Sequence, residues 1–333
     1  MNVDVIIPVY RPDRTFFELI DRLETQTVPV RRIIIMNTEE KYFTQLIYGT
    51  KFLEQHRQVT VCHLSKKEFD HARTRAQGVA RSDGEIFVMM TQDAMPADTR
   101  LIEELTAALA REDVAAAYAR QLPAPDAEPV EAYMRGYNYP EDSRIKSLQD
   151  LSQLGIKTYF CSNVCCAYRR DTYDKLGGFI SHAIFNEDML FAARAIHEGY
   201  RIAYVAEARV IHSHNYTCGQ FFHRNFDLGV SQADHPEVFQ AVPSEGEGIR
   251  SVKLAAAWLL RQKQRRRIPG LLLQSGCKYA GYWLGKHYRI LPRGLVLACT
   301  ANREYWEQES RRRDVAGIDA ARGYGRTEQE ANR

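Results

Sequence analysis

Apolar side chains along this chain fall into two rhythms. VDVIIPV (3–9), RRIIIMN (31–37), QVTVCHL (58–64) and EIFVMM (85–90) are short, β-branched runs, continuous enough for strands buried on both faces. Between them the spacing lengthens to a helical period. In DRTFFELIDRLETQT (13–27), Phe16, Phe17, Leu19, Ile20 and Leu23 share a face, and similar patterns cover about 71–82 and 98–111. Strand and helix in alternation predict an α/β fold, a mostly parallel sheet with helices on both sides. Such sheets bind ligands in the crevice beyond the carboxyl ends of their strands. The run IFVMM ends at Thr91-Gln92-Asp93, which pushes a carboxylate into that crevice where a plain turn would suffice.

The rhythm loosens over 122–158, a stretch with four prolines that reads as an excursion at the active site or acceptor side. TYFCSNVCCAYRR (158–170) is strand-like, and LGGF (176–179) follows it. In FNEDMLFAARAIHEGYRIAYV (185–205), Asn186 is placed to cap a helix. Its inner face would be Met189, Leu190, Ala193 and Ile196, and it would end near Gly199. A short strand to Val205 and a separate one at ARVIHSH (208–214) come next, then helices to about 308. The expected organisation is a catalytic unit over 1–235, a basic helical region over 236–310 and a disordered polar tail over 311–333.

Composition narrows the class. With 333 residues and 45% apolar content, the chain can bury a core of enzyme size. No stretch suits a membrane span: VKLAAAWLL lies between Arg250 and Arg261, and Lys278, Lys286, Arg289 and Arg293 interrupt 268–299. The N-terminus enters VDVIIPVY without a basic-then-apolar leader, so a cytoplasmic location is expected. CSNVCC (Cys161, Cys165, Cys166) lacks a second Cys/His pair for zinc, which makes reduced core thiols the expectation for the seven cysteines.

Charge is segregated. From Arg250 to Arg313 there are 15 Lys/Arg against 3 Asp/Glu, a local +12 within a total of +3, so the rest of the chain carries −9. Trp, Tyr and Leu interleave with these cations, which suits a helix on an anionic membrane surface. The competing expectation is a helical subdomain that packs on the core or makes a homo-oligomer. Nucleic acid is not an expected partner, because no reader motif accompanies the basic stretch.

Four polar groups could carry chemistry: Thr91-Gln92-Asp93, Glu187-Asp188 after Asn186, His212-Ser213-His214, and FDHARTRAQGVA with Asp70, His71, Arg73 and Arg75. Each has a plain structural reading as a turn, a helix-dipole complement, a packing pair or a solvated face. Taken together, carboxylates and imidazoles at separate strand ends of one parallel sheet converge on one crevice. An Asp with a His suits Mg2+ or Mn2+, and one carboxylate is enough when water and phosphate oxygens fill the shell.

The order of VIIPVY, Asn37, an Arg on the following helix, TQDAMP, LGGF, NEDMLFAARAIHEGYRIAY and then a His resembles the inverting family-2 glycosyltransferases. Their fold is GT-A, a Rossmann-like, mostly parallel sheet; the resemblance covers about residues 3–235, and the helical C-terminal region is similar too. FDHARTRAQG, TQDAMP and HSHNYT look like the subgroup that transfers L-rhamnose from dTDP-rhamnose during bacterial surface polysaccharide assembly.

That resemblance implies roles for individual residues. Pro8, Val9 and Tyr10 would meet the nucleotide base, Asn37 stands where an Asp usually reads base or ribose, and Arg75 would face the nucleotide-sugar. Thr91 replaces the first carboxylate of the family's Asp-x-Asp, Gln92 lies between, and Asp93 keeps the last. Asp93, with His212 or His214, would hold the Mg2+ or Mn2+ that clamps the donor diphosphate. Asp188, beside Glu187, would be the general base of a direct displacement with inversion, acting on a saccharide or lipid-linked acceptor. The rivals are a UDP-hexose donor on the same scaffold and a non-catalytic member of a polysaccharide-assembly complex. Loss of a carboxylate at Thr91 favours the latter; Glu187-Asp188 opposes it. A nucleotidyltransferase would carry a Gly-rich basic loop in place of PVYRPDR.

Overall fold

The computed structural model describes residues 1–240, 242 and 245–310. Among them one sheet is formed by β1 (Val3–Tyr10), β2 (Arg32–Thr38), β3 (Val59–Leu64), β4 (Ile86–Met90), β5 (Met95–Pro96), β6 (Val114–Leu122), β7 (Arg144–Lys146), β8 (Cys165–Arg169) and β9 (Arg201–Ile211). Its order is β3-β2-β1-β4-β8-β6-β9-β5, with β7 also on β9. The first four neighbours run parallel. β8 enters antiparallel between β4 and β6, and β6 and β9 are parallel again.

Both faces of the sheet are covered, which is why its strands read as unbroken apolar runs. Val3, Val5, Ile7 and Val9 of β1 pack with Phe16, Leu19, Ile20 and Leu23 of the helix Thr15–Glu24. On the other face Ile6 joins Ile34, Met36, Phe87 and Met89. The helix His71–Arg81 lies tight on that second layer, since a Cβ at Gly78 would come 2.4 Å from Ile6 Cγ2.

Several sequence expectations need correction. Val205 and ARVIHSH do not belong to separate strands: β9 is continuous to Ile211, and a register shift between Ala119 and Arg120 of β6 absorbs the irregularity. Within TYFCSNVCCAYRR only Cys165–Arg169 is strand. The excursion over 122–158 stands uncorrected, and it holds β7 and the helix Pro129–Asn138. Val130, Tyr133 and Met134 of that helix pack against Ala255, Leu259 and Leu271, and Tyr133 stacks on Trp258 at 4.9 Å. Asn186 precedes the helix Glu187–His197 in the left-handed region, φ 65°, without a side-chain cap bond. Its Nδ2 donates instead to Ser231 Oγ, 3.2 Å away. The buried face of this helix is Leu190, Phe191, Ala192, Ala193, Ala195 and Ile196, while Met189 is only half-buried.

C-terminal helices pack on the layers of the α/β part. The helix Cys218–Asp234 runs against Ile268–Lys286. Gln308 Nε2 donates to the carbonyls of Lys67 and Phe69 at 2.9 and 2.8 Å, and Glu304 pairs with Lys66. All seven cysteines are free thiols. Among the described residues no helix is long and apolar enough to cross a membrane. The expected disordered tail, 311–333, lies outside the described residues.

Candidate active site

The two-residue strand β5 pairs antiparallel with Val210 and Ile211 at the end of β9. That pairing brings the turn after β4 against the residues that leave β9. Asp93 Oδ1 is 3.6 Å from His212 Nε2, Asp93 Oδ2 is 3.3 Å from His214 Nε2, and the two Nε2 atoms are 3.0 Å apart. These ligand atoms all lie within 4.8 Å of one another. His212 is buried, and burial pushes its pKa down to about 3, with Asp93 pulling it up and His214 pushing it down. Burial also lowers the pKa of His214. Both imidazoles are therefore neutral at pH 7, the form that ligates metals.

Surrounding groups fix the tautomer of His212. Its Nδ1 is 2.9 Å from Gln121 Oε1, an oxygen to which Arg135 Nη1 also donates. A guanidinium can only donate, so that oxygen accepts, and His212 carries its proton on Nδ1 with the Nε2 lone pair toward Asp93. Gln121 Nε2 in turn donates to Tyr139 Oη at 2.6 Å and to Ser162 Oγ at 3.1 Å.

Ser162 leads directly to the carboxylate pair. The backbone N–H of Asn163 donates to Asp188 Oδ2 at 2.8 Å, and Asn163 Nδ2 donates to Glu187 Oε1 at 3.0 Å. Asn163 is itself buried and held at Oδ1 by Tyr168 Oη, 2.7 Å away. Arg75, also buried, sets Nη1 3.2 Å from Glu187 Oε1 and donates to the carbonyl of His71 at 3.1 Å. Burial opposes ionisation of Glu187, but Arg75, His71 and Asn163 outweigh it and hold its pKa below the ordinary value. Asp188 is raised to about 7, by burial first and then by Glu187, which together outweigh the backbone N–H groups of Asn163 and Met189 and the charge of Arg75.

At the end of β1, Val9 points into the core, Pro8 is half-buried and Tyr10 is exposed. The Tyr10 and Tyr42 rings meet edge-on at 5.7 Å, and Arg11 lies over both. Gln92 clasps the Tyr10 backbone, accepting from its N–H at 2.8 Å and donating to its carbonyl at 3.0 Å. Thr91 Oγ1 is buried without a partner among the described residues. Asn37 Nδ2 is 2.9 Å from His63 Nδ1, while Asn37 Oδ1 and the adjacent Thr38 Oγ1 are buried and have no partner among them.

Tyr10, Thr38, His71, Phe185, Tyr216 and Arg224 line part of a cleft of about 580 Å³ beside these groups. Arg224 extends over the rings of Phe185 and Tyr216, at 4.8 and 5.9 Å, and pairs with no carboxylate among the described residues. The structure thus joins Asp93, His212 and His214 in one cluster and Arg75, Glu187 and Asp188 in another, linked through Gln121, Ser162 and Asn163. Sequence reasoning missed Gln121, Asn163 and Arg224. Gln121 had a signal, a polar residue near the end of the apolar run VAAAYARQL, and so had Asn163, set between cysteines.

A mixed, mostly parallel sheet with acidic and imidazole side chains at its carboxyl edge, beside an open cleft, defines the GT-A class of glycosyltransferase. The chain belongs to glycosyl transferase family 2, whose profile matches residues 4–177. It is 36% identical over 308 residues to the O-antigen chain rhamnosyltransferase RfbN of Salmonella typhimurium, covering 92% of this chain and 96% of that protein. With WbaN of Salmonella anatum, also an O-antigen chain rhamnosyltransferase, identity is 38% over 305 residues, covering 91% and 95%. Among solved structures, the Pyrobaculum calidifontis mannosyltransferase PcManGT, in complex with GDP-Man and Mn2+, superposes with TM-score 0.54 at 15% identity, covering 91% of this chain and 84% of that one. S. aureus TarS 1–349 gives 0.50 at 15%, covering 87% and 91%. These structural likenesses bear on the fold.

Proposed function

We propose that this glycosyltransferase moves L-rhamnose from dTDP-β-L-rhamnose, with inversion, to a saccharide or lipid-linked saccharide acceptor in bacterial surface polysaccharide synthesis. The donor reading is carried by the 36% and 38% identity to O-antigen rhamnosyltransferases across nine-tenths of the chain.

Asp93, His212 and His214 fit a divalent cation, Mg2+ or Mn2+, because two neutral imidazoles and a carboxylate bring their ligand atoms within 4.8 Å of one another. When bound, such an ion stabilises the negative charge that develops on the departing diphosphate. Tyr10 offers a ring for the base, and Gln92 fixes its backbone. Asn37 is fully buried, so it would act on the nucleotide from behind Thr38, which lines the cleft. Arg75 serves the donor indirectly, by keeping Glu187 charged. Asp188 takes the proton from the acceptor hydroxyl as the new bond forms, and a pKa raised toward neutrality suits that task.

Calorimetry with dTDP, UDP and GDP, with and without Mn2+, followed by transfer assays with dTDP-rhamnose, tests this reading. Preference for UDP would move the assignment to a UDP-hexose donor. Absence of any nucleotide binding would leave the scaffold reading.

Attachment to an anionic membrane is part of the proposal. Its support is an outward stripe on the helix Ile268–Lys286, with Leu272, Leu273, Tyr279 and Trp283 exposed near Arg265, Arg266, Arg267 and Arg289. Flotation with phosphatidylglycerol vesicles should recover the protein at low salt and less of it at high salt. Recovery in the soluble fraction under both conditions would remove the membrane from the account.

A further inference from the structure

The first cleft, of about 580 Å³, is completed by residues of the C-terminal region: Ala301, Asn302 and Glu304 line it together with Lys66, Phe69 and His71. Past Asn302 the chain is helical over 303–310. That stretch lies across the segment that leads into the helix His71–Arg81. Glu304 pairs with Lys66, and Gln308 donates to the carbonyls of Lys67 and Phe69 and accepts from Arg73 Nη2 at 2.8 Å. One imidazole fastens the rest. His182, its side chain 10% exposed, lies flat on the Tyr305 ring, with centroids 4.2 Å apart and planes within 4° of parallel. Its Nδ1 is 2.5 Å from Asp70 Oδ2, and its Nε2 is 3.3 Å from Glu309 Oε2. The other oxygen of Asp70 caps the helix that carries Arg75, accepting from the Arg73 N–H at 2.9 Å.

A neutral imidazole donates through one nitrogen only, so between two carboxylates it would turn a lone pair on one of them, whereas an imidazolium donates to both. Burial opposes ionisation of Asp70, but the bonds from His182 and the Arg73 N–H outweigh it and hold its pKa below the ordinary value. A buried carboxylate kept charged calls for a cation beside it. The other ionisable groups at this junction are Arg73, whose charge reaches Asp70, and Asp234 and Tyr288, whose charges reach Tyr305. We propose that the helix 303–310 is a strap across the donor cleft, fastened by His182 as an imidazolium, and that loss of this proton slackens the strap and weakens donor binding. The link to the donor rests on the glycosyltransferase reading, and the strap itself does not. Fastened, the strap holds one proton more than when released, so rising pH favours release. His182 is outside the cleft lining and acts as a positioning residue, through Asp70 and the helix 303–310.

The test compares the full chain with His182→Gln at pH 5.5 and pH 8.5, on either side of the range in which imidazoles lose their charge. Glutamine keeps a donor toward Asp70 but cannot become charged. At pH 5.5 the variant's amides over 303–310 should exchange hydrogen about tenfold faster than those of wild type, and dTDP with Mn2+ should bind it about tenfold more weakly. At pH 8.5 the two proteins should agree in both measurements. Asp227, raised to about 7 by burial, lines the same cleft in both proteins and drops out of the comparison. Gln308→Ala removes bonds that do not titrate and should loosen the strap equally at both pH values. Should His182→Gln fail to fold, Glu309→Gln, which removes the second carboxylate, carries the same comparison. A difference from wild type that is equal at both pH values, or absent at both, would overturn the proposal, as would exchange that follows pH while dTDP affinity does not. If dTDP fails to bind even at pH 5.5, the glycosyltransferase reading falls, and hydrogen exchange, measured without nucleotide, still decides the strap.

Discussion

Gln121 Oε1 sits 2.9 Å from His212 Nδ1 and receives a second hydrogen bond from Arg135. Arg135 thereby dictates, two bonds away, which nitrogen of His212 is free to ligate. Replacing Gln121 by Leu removes the lock and lets the imidazole turn or change tautomer. Mn2+ affinity should fall about tenfold to hundredfold, measured as free ion by electron paramagnetic resonance. Gln121→Glu keeps an acceptor at the same place and should retain affinity. An equal loss in both variants would show that the amide acts in some other way.

Asp188 accepts from the backbone N–H groups of Asn163 and Met189, one on each oxygen and each at 2.8 Å, so an amide matches the carboxylate in size but keeps an acceptor for only one of them. Asp188→Asn should lower the transfer rate by about 10²- to 10⁴-fold and leave dTDP affinity intact. A variant that still turns over at a near-normal rate would place the base elsewhere.

The same carboxyl links stability to pH. Folded Asp188 keeps its proton up to about 7, whereas in the unfolded chain it titrates near the ordinary value of 3.8. Between those limits the folded state binds more protons than the unfolded state, so this group's contribution to stability declines as pH rises and stays low above 7. Asp188→Asn escapes that decline. Its Tm should match wild type at pH 3 and exceed it by about 3 °C at pH 8, in scanning calorimetry. Asp227 is also raised to about 7, by burial, and remains in the variant, so some slope persists. A difference between the proteins that is the same at both pH values would rule out the linkage.

Much of this is legible in the amino-acid sequence, for physical reasons. A strand buried on both faces must be apolar throughout, so β1, β2 and β4 announce themselves, and an acidic residue just past β4 is conspicuous against that background. The carboxyl edge of the sheet then collects Asp93, Glu187, Asp188, His212 and His214 by topology alone. What a linear pattern cannot carry is the hydrogen-bond network between them. Gln121 and Asn163 are ordinary polar residues until β6 and β8 lie side by side. By sequence Gln92 is only the residue between Thr91 and Asp93, and its two bonds to the Tyr10 backbone exist only once β1 and β4 lie side by side. The pairing of Arg75 with Glu187 was equally invisible, since 112 residues separate them.

The helix that carries Lys278 stays in place through missing side chains. A Cβ on Gly285 would stand 2.1 Å from the carbonyl oxygen of Phe226, and one on Gly281 would stand 2.2 Å from that of Phe222. In both cases the obstacle is backbone of the helix Cys218–Asp234, which cannot swing aside as a side chain would. Gly285→Ala must therefore push two helices apart, and it should cost about 1–3 kcal/mol in urea denaturation. Gly276→Ala, on the same helix but with nothing within 4 Å of its Cβ, should be neutral or gain up to about 1 kcal/mol from helix propensity. Because Cys218–Asp234 also carries Arg224 into the first cleft, the separated helices should weaken dTDP binding in Gly285→Ala and not in Gly276→Ala. Unchanged nucleotide affinity in the destabilised variant would mean that the helical layer supports the fold without shaping the donor cleft.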